Sequence, residues 1–165
     1  DVPKGKHTYR FYTKDATILA RFYHKPVPQK RDWKPIELPV TNEQVYLVGK
    51  DTAYAYYMID KDQRMTFEVT GPTQLKVMSR LNYDADMVAK QSYTLVVKHN
   101  GTKEEQLSYS TSKSKKYVFT NNENVTPSIA QKTLISVPEG SHKYTVYITG
   151  TLAKTAGLRF FESEK

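Results

Sequence analysis

The sequence predicts an all-β protein built as a two-sheet antiparallel β-sandwich with very little helix. Three observations lead there. Val, Ile, Thr, Tyr and Phe recur in short runs at a period of two. Gly, Pro and Asn break these runs at a spacing that suits roughly nine to eleven strands in two packed sheets. Asn100 and Gly101 stand between two alternating runs, and Asn-Gly fits the positive φ angles of a type I′ hairpin turn.

In chain order, residues 1–25 read as a β-hairpin resembling the closing hairpin of a module. Val2, Pro3, Gly5, His7, Tyr9 and Tyr12 recur as Val137, Pro138, Gly140, His142, Tyr144 and Tyr147, and Arg21, Phe22 and Tyr23 resemble Arg159, Phe160 and Phe161. Either a tandem array begins inside one of its copies, or one domain holds two related hairpins. Carrying Tyr9, Phe11 and Phe22, this hairpin is expected to complete a sheet on the same domain or on a neighbour. Residues 26–40 hold Pro26, Pro28, Pro35 and Pro39, half of the eight prolines, and read as a stiff connector. The main β-domain is expected over 41–165.

Within it, residues 65–69 and 75–81 are expected to form a hairpin around Thr70, Gly71, Pro72 and Thr73. The Asn-Gly hairpin pairs 93–99 with 102–109. Residues 108–116, rich in Ser and Lys, read as an exposed strand end and loop. Thr126 as an N-cap and Pro127 at the first helical position suggest a turn or two of helix over 126–130. A last hairpin pairs 133–137 with 142–149 across Pro138, Glu139, Gly140 and Ser141.

Composition narrows the function classes. The 165 residues suit one domain, and 38% hydrophobic with 25% charged residues fits a folded globular chain. No apolar run of about 18 residues is present, so no transmembrane segment is expected. The start at Asp1, without Met or an apolar leader, is read as a mature or excised segment. Cys is absent, which excludes disulfides, thiolate metal sites and cysteine nucleophiles. Lys and Arg number 25 against 17 acidic residues, and the net charge of +8 favours an anionic partner.

Taken together, Phe67 to Pro72, the 75–81 run, the Asn-Gly hairpin, Pro127, Ser128 and Ala130, and the phrase Val137, Pro138, Gly140, His142, Tyr144 resemble jelly-roll or immunoglobulin-like β-sandwich modules of bacterial surface and periplasmic proteins. Many of these are uncharacterised and some bind carbohydrate. The resemblance covers roughly the last hundred residues and implies the sandwich fold and an extracytoplasmic, bacterial setting.

Few residues carry chemistry by pattern. His7, His24, His99 and His142 lack metal-ligand spacing. Asn82, Asp84 and Asp86 alternate and form a weak calcium candidate, without the glycine and glutamate of an EF-hand loop. No cofactor is expected, since neither a nucleophile elbow nor a phosphate-binding glycine loop occurs. An enzyme is not expected, although a hydrolase triad hidden by the fold stays open.

Among the 13 Tyr, Tyr54, Tyr56 and Tyr57 together with Trp33 are the candidate aromatic binding surface; sheet packing competes as an explanation. Lys113, Lys115 and Lys116, beside Tyr109, Tyr117 and Phe119, are the candidate basic surface, with a solvated loop as the alternative. The triplets beginning at Asn100 and Asn124 match glycosylation sequons. The leading expectation is a non-catalytic module mediating structure, assembly or protein interaction through sheet edges, with other modules or copies of itself as partners. The alternative is a module binding carbohydrate or an anionic surface polymer. No RNA- or DNA-binding signature occurs, so no specific nucleic-acid partner is expected.

Overall fold

A computed structural model describes residues 7–15, 17, 32–38, 43–49, 52–87, 90–120 and 124–163. The chain divides into two compact units, Asp1–Lys30 and Arg31–Lys165. In the first, residues 7–15 carry no strand, and Tyr9, Phe11 and Tyr12 are exposed. Gly5 and Phe22, on which the expected hairpin and repeat also rest, lie outside the described residues. Residues 142–147, the counterparts of 7–12, lie inside a strand flanked on both sides.

The second unit is all-β, with no helix among the described residues. Ten strands run in the order β1 (Trp33–Pro35), β2 (Gln44–Gly49), β3 (Thr52–Asp60), β4 (Met65–Tyr83), β5 (Lys90–His99), β6 (Lys103–Ser112), β7 (Val118–Phe119), β8 (Thr126–Pro127), β9 (Gln131–Thr149) and β10 (Thr155–Ser163). Hydrogen bonds join them in one open antiparallel sheet, ordered β6-β5-β9-β4-β10-β3-β2-β7, with β1 on β10 and β8 on β4. The middle of the proline-rich 26–40 segment therefore contains a strand: Trp33 pairs with Ser163 and Pro35 with Phe161.

The Asn-Gly hairpin forms between the expected strands with one more residue in its turn: Thr102 N donates to His99 O at 3.2 Å, and pairing starts at His99 with Lys103. Asn100 and Gly101 have φ of 50° and 73°, and ten residues of β5 pair with ten of β6. The other two expected hairpins do not form. Residues 65–81 lie in one 19-residue strand and 133–149 in another, and the two pair with each other along nearly their whole length. The turn-forming residues of both segments lie opposite each other, so each chain bends without reversing. The register slips by one residue between Gly71 and Thr73, and Gly140 adopts φ of 102°, as in a β-bulge. Gly71 is required there because a Cβ would overlap the Pro138 carbonyl oxygen and lie 2.7 Å from its carbon.

The expected helical turn at 126–130 is also replaced by strand pairing. Ser128 N donates to Leu81 O at 2.8 Å, and Leu81 N donates to Ser128 Oγ at 2.9 Å. A strand partner within reach outweighs a local cap.

The extra residue in β9 changes which of its positions face inward, from Thr133 and Val137 before the bend to Tyr144, Val146 and Ile148 after it. Beyond the bend the sheet folds over itself. Phe67 lies 4.6 Å, centroid to centroid, from Phe160, although the residue of β4 paired with Phe160 is Val77. Tyr93 bonds Ser79 Oγ at 2.7 Å, Tyr109 bonds Thr133 Oγ1 at 2.7 Å, and Tyr83 donates to Thr111 O at 2.7 Å, each joining strands that are not sheet neighbours. Burial pushes the Tyr93 hydroxyl up to about 12, so it remains a protonated hydrogen-bonding group. A second, smaller cluster of Val45, Leu47, Tyr56 and Phe119 covers the opposite face of β2 and β3.

Two stability predictions follow from the bend and the core. G71A should destabilise by about 3 kcal/mol, the upper end of overpacking costs, while G101A, with open space at its Cβ but a left-handed φ, should cost only about 1–2 kcal/mol. F160A should lose about 3–5 kcal/mol, and L134A, at an exposed position, within about 0.5 kcal/mol. Urea unfolding of the four variants measures both contrasts.

Candidate functional site

The outward face of β4 and β10 brings cations and rings together. Antiparallel register sets Lys76 opposite Phe161 and Leu134, Met78 opposite Arg159 and Lys132, and Arg80 opposite Gly157. Directly opposed residues share a face, and alternate residues along each strand stay on it. On the flanking strands Trp33 pairs with Ser163, while Tyr54 and Tyr56 pair with Leu47 and Val45. Gly157 has no side chain, leaving room for the Tyr56 ring, which would lie 3.2 Å from a Cβ there.

These side chains form a continuous run in which rings and cations alternate from Trp33 to Tyr54. The Lys76 ammonium sits 4.1 Å from the Trp33 ring centroid and 4.0 Å from that of Phe161. Arg159 lies 4.6 Å from the Phe161 centroid and 5.2 Å from that of Tyr54. Tyr54 meets Tyr117 edge-on at 6.0 Å, and Arg80 lies 4.8 Å from the Tyr117 centroid. All are cation–π distances or aromatic-pair distances.

Among the described residues, no carboxylate forms an ion pair with Lys76, Arg80, Lys132 or Arg159. Elsewhere on the sheet Lys98 does have one, Glu104 at 2.9 Å. The consequence is visible in Lys76, whose ammonium is held below the ordinary lysine range by burial first, then by the charges of Arg159 and Lys132. A negatively charged ligand laid along this face would relieve that repulsion.

The aromatic candidates are divided by the fold. Trp33 and Tyr54 are half-buried on the cationic face, and Tyr56 is on the same side but 4% exposed, its hydroxyl accepting from Arg80 Nε at 3.1 Å. Tyr57 points the other way into the main core, where its hydroxyl accepts from Leu38 N at 2.8 Å. Of the basic candidates, Lys115 and Lys116 are exposed on the 113–117 loop, whereas Lys113 bridges Ser128 and sends its ammonium over the Tyr83 ring at 5.7 Å. Tyr109 is tied to Thr133, and Phe119 lies in the smaller core.

The calcium candidate does not assemble. Asn82 is buried with its amide donating to Thr155 Oγ1 at 2.9 Å, Asp84 pairs with Lys154 at 3.1 Å, and Asp86 is exposed. No group of three His, Cys, Asp or Glu side chains suited to a metal occurs among the described residues. No helix there is long and apolar enough to cross a membrane.

Sequence reasoning missed Lys76, Arg80, Lys132 and Arg159. They stand alone in strand segments, and only the register of three strands brings them together. Nor did sequence reasoning anticipate that His99 hydrogen-bonds His142 at 2.9 Å and stacks on Tyr144. The available signal was alternation: Lys76 and Arg80 occupy outward positions between the buried Leu75, Val77 and Leu81, as Arg159 does between Leu158 and Phe160.

Charge repulsion on the face is measurable. R159Q should raise the Lys76 pKa, because it removes one of the charges that lower it, and a bound polyanion should raise it further. Side-chain NMR titration of Lys76 with and without polyanion reads both shifts. No protein-family model matches the chain, and no curated protein matches it significantly.

Proposed function

We propose that the second unit is a non-catalytic binding module for an anionic polysaccharide, laid across the face that carries Trp33, Phe161, Tyr54, Lys76, Arg159 and Lys132. One observation carries the reading: rings and cations alternate along this face, and no carboxylate among the described residues neutralises the cations. Rings suit the apolar faces of sugars, and the cations suit carboxylate, phosphate or sulfate substituents. The two halves of the folded sheet act in this reading as the layers of a β-sandwich of jelly-roll or immunoglobulin-like kind. The bacterial, extracytoplasmic setting belongs to the same proposal and draws on the resemblance in sequence.

Binding to dextran sulfate, polygalacturonate and neutral dextran, compared at about 50 mM and about 500 mM salt, tests the reading, since counterion release makes affinity for a polyanion fall steeply with salt. The charged polymers should bind at low salt and neutral dextran should not. K76Q/R159Q should flatten the salt dependence, and W33A/Y54A should weaken binding without flattening it. Equal binding of neutral dextran, tighter binding of nucleic acid than of either acidic polysaccharide, or no binding at low salt would contradict it.

A second reading, assembly through sheet edges, draws on β6, a ten-residue strand at the end of the sheet order. A free edge can pair with another chain, and Lys103, Glu104 and Glu105, all exposed, would set the register of such pairing. Concentration-dependent association in sedimentation, lost in S108P, is the outcome this reading requires.

A further inference from the structure

We infer that a pocket walled by Arg80 and the 113–117 loop binds one phosphate or sulfate ester group on a sugar, fixing a single charged unit at one end of the ring–cation run. The inference rests on the anionic-polysaccharide reading for the origin of that unit.

Arg80 is the unusual member of the run because it is only 7% exposed. Its Nε donates to the Tyr56 hydroxyl at 3.1 Å and its Nη1 to the Ser128 carbonyl, and the Tyr56 and Tyr117 rings flank the guanidinium at 5.6 and 4.8 Å. These two bonds use Nε and Nη1, and the guanidinium has no counter-ion among the described residues. A guanidinium carries five N–H donors, and a buried cation without an opposing charge is costly. Its position is therefore held by neutral acceptors while its charge and spare donors remain available.

A cavity of about 430 Å³ opens beside it, lined also by Lys115, Lys116, Tyr117 and Ile129. This volume falls within the range of small-molecule sites. The loop is folded for the purpose: Ser114 Oγ accepts from the backbone N–H of Lys116 at 3.2 Å and of Tyr117 at 3.3 Å, which ties two lysines and a ring around one opening. Lys115 and Lys116 are exposed and free to close over an anion. Arg80, Lys113, Lys115 and Lys116 all line the cavity, and a tetrahedral ester, doubly charged as phosphate and singly charged as sulfate, offers these donors three terminal oxygens where a planar carboxylate offers two. The Tyr117 ring and Ile129 supply an apolar wall for the sugar.

The test is NMR titration of the full chain with a hexose phosphate, the matching hexose sulfate and free hexose. Saturable shifts of the Arg80 Nε–H and of the 114–117 amides are expected with one or both esters and not with hexose. The two sources separate by pH, since a phosphate ester loses its second charge near pH 6 and binds more weakly below it, whereas a sulfate ester does not. R80Q tests the guanidinium directly. Because that variant removes buried hydrogen bonds, K115Q/K116Q changes exposed side chains only and Y117A removes a ring at the margin of the smaller cluster, each expected to weaken ester binding at least about tenfold. Absence of saturable shifts at these positions with both esters, equal shifts with free hexose, or unchanged affinity in both loop variants would overturn the inference. Polymer binding that survives when ester binding is absent removes the pocket alone. Ester binding in a chain that binds no polymer removes the polysaccharide reading alone, and K76Q/R159Q, which should weaken the polymer and spare the esters, separates the two within one variant.

Discussion

The Gly71 backbone passes so close to the Pro138 carbonyl that no side chain fits between them, and the rest of the second unit depends on this contact. It lets two 19-residue strands stay paired through a bend that would otherwise break the ladder. Before the bend in β4, Met65, Phe67 and Val69 face the core from the half of the sheet that continues into β5 and β6. After it, Leu75, Val77 and Leu81 do so from the half that continues into β10 and β3. Because the extra residue lies in β9, the inward positions of β4 keep their parity through the bend while those of β9 change theirs. The Phe67–Phe160 contact and the three tyrosine hydroxyl bonds then join the halves across the core.

That geometry explains which features could be read from the chain. Alternation at Phe67, Val69, Leu95 and Val97, and the positive φ demanded of Asn100 and Gly101, are properties of neighbouring residues, so the all-β class and the β5–β6 hairpin follow directly. The segments Thr70 to Thr73 and Pro138 to Ser141 carry the same residue types as reversing turns. Whether such residues reverse a strand or bend it depends on what lies opposite, and here each lies opposite the other, about 70 residues apart in sequence. The same holds for Pro127 and Ser128, where Leu81 supplies a partner that a local helix signal cannot anticipate. One continuous ladder, in place of two separately drawn sheets, is the result.

The cationic face has the same origin. Lys76, Arg80 and Arg159 look like ordinary outward residues of half-buried strands, and ordinary outward lysines meet carboxylates, as Lys98 meets Glu104. Cross-strand register instead stacks them on Trp33, Phe161, Tyr54 and Tyr117. Rings partly compensate desolvated cations without neutralising them, which leaves net positive charge on a surface that also has flat apolar area. Lys113, Lys115 and Lys116 were visible as a cluster, and all three line the pocket, with Lys113 held by its strand pairing to Ser128 and its ammonium over the Tyr83 ring. Tyr56 and Tyr57, adjacent in sequence, are divided between two cores by the period of the strand.

The pairing of β4 with β9 through the bend is the central structural claim, and cross-strand NOEs test it most directly. The account predicts close Hα or amide contacts from Val69 to His142 and from Leu75 to Ile135, with none of the ladder contacts that would place Val69 beside Leu75. Pairing of 65–69 with 75–81 around Gly71 and Pro72, or of 133–137 with 142–149 around Gly140, would contradict it, and with it the register that assembles the cationic face.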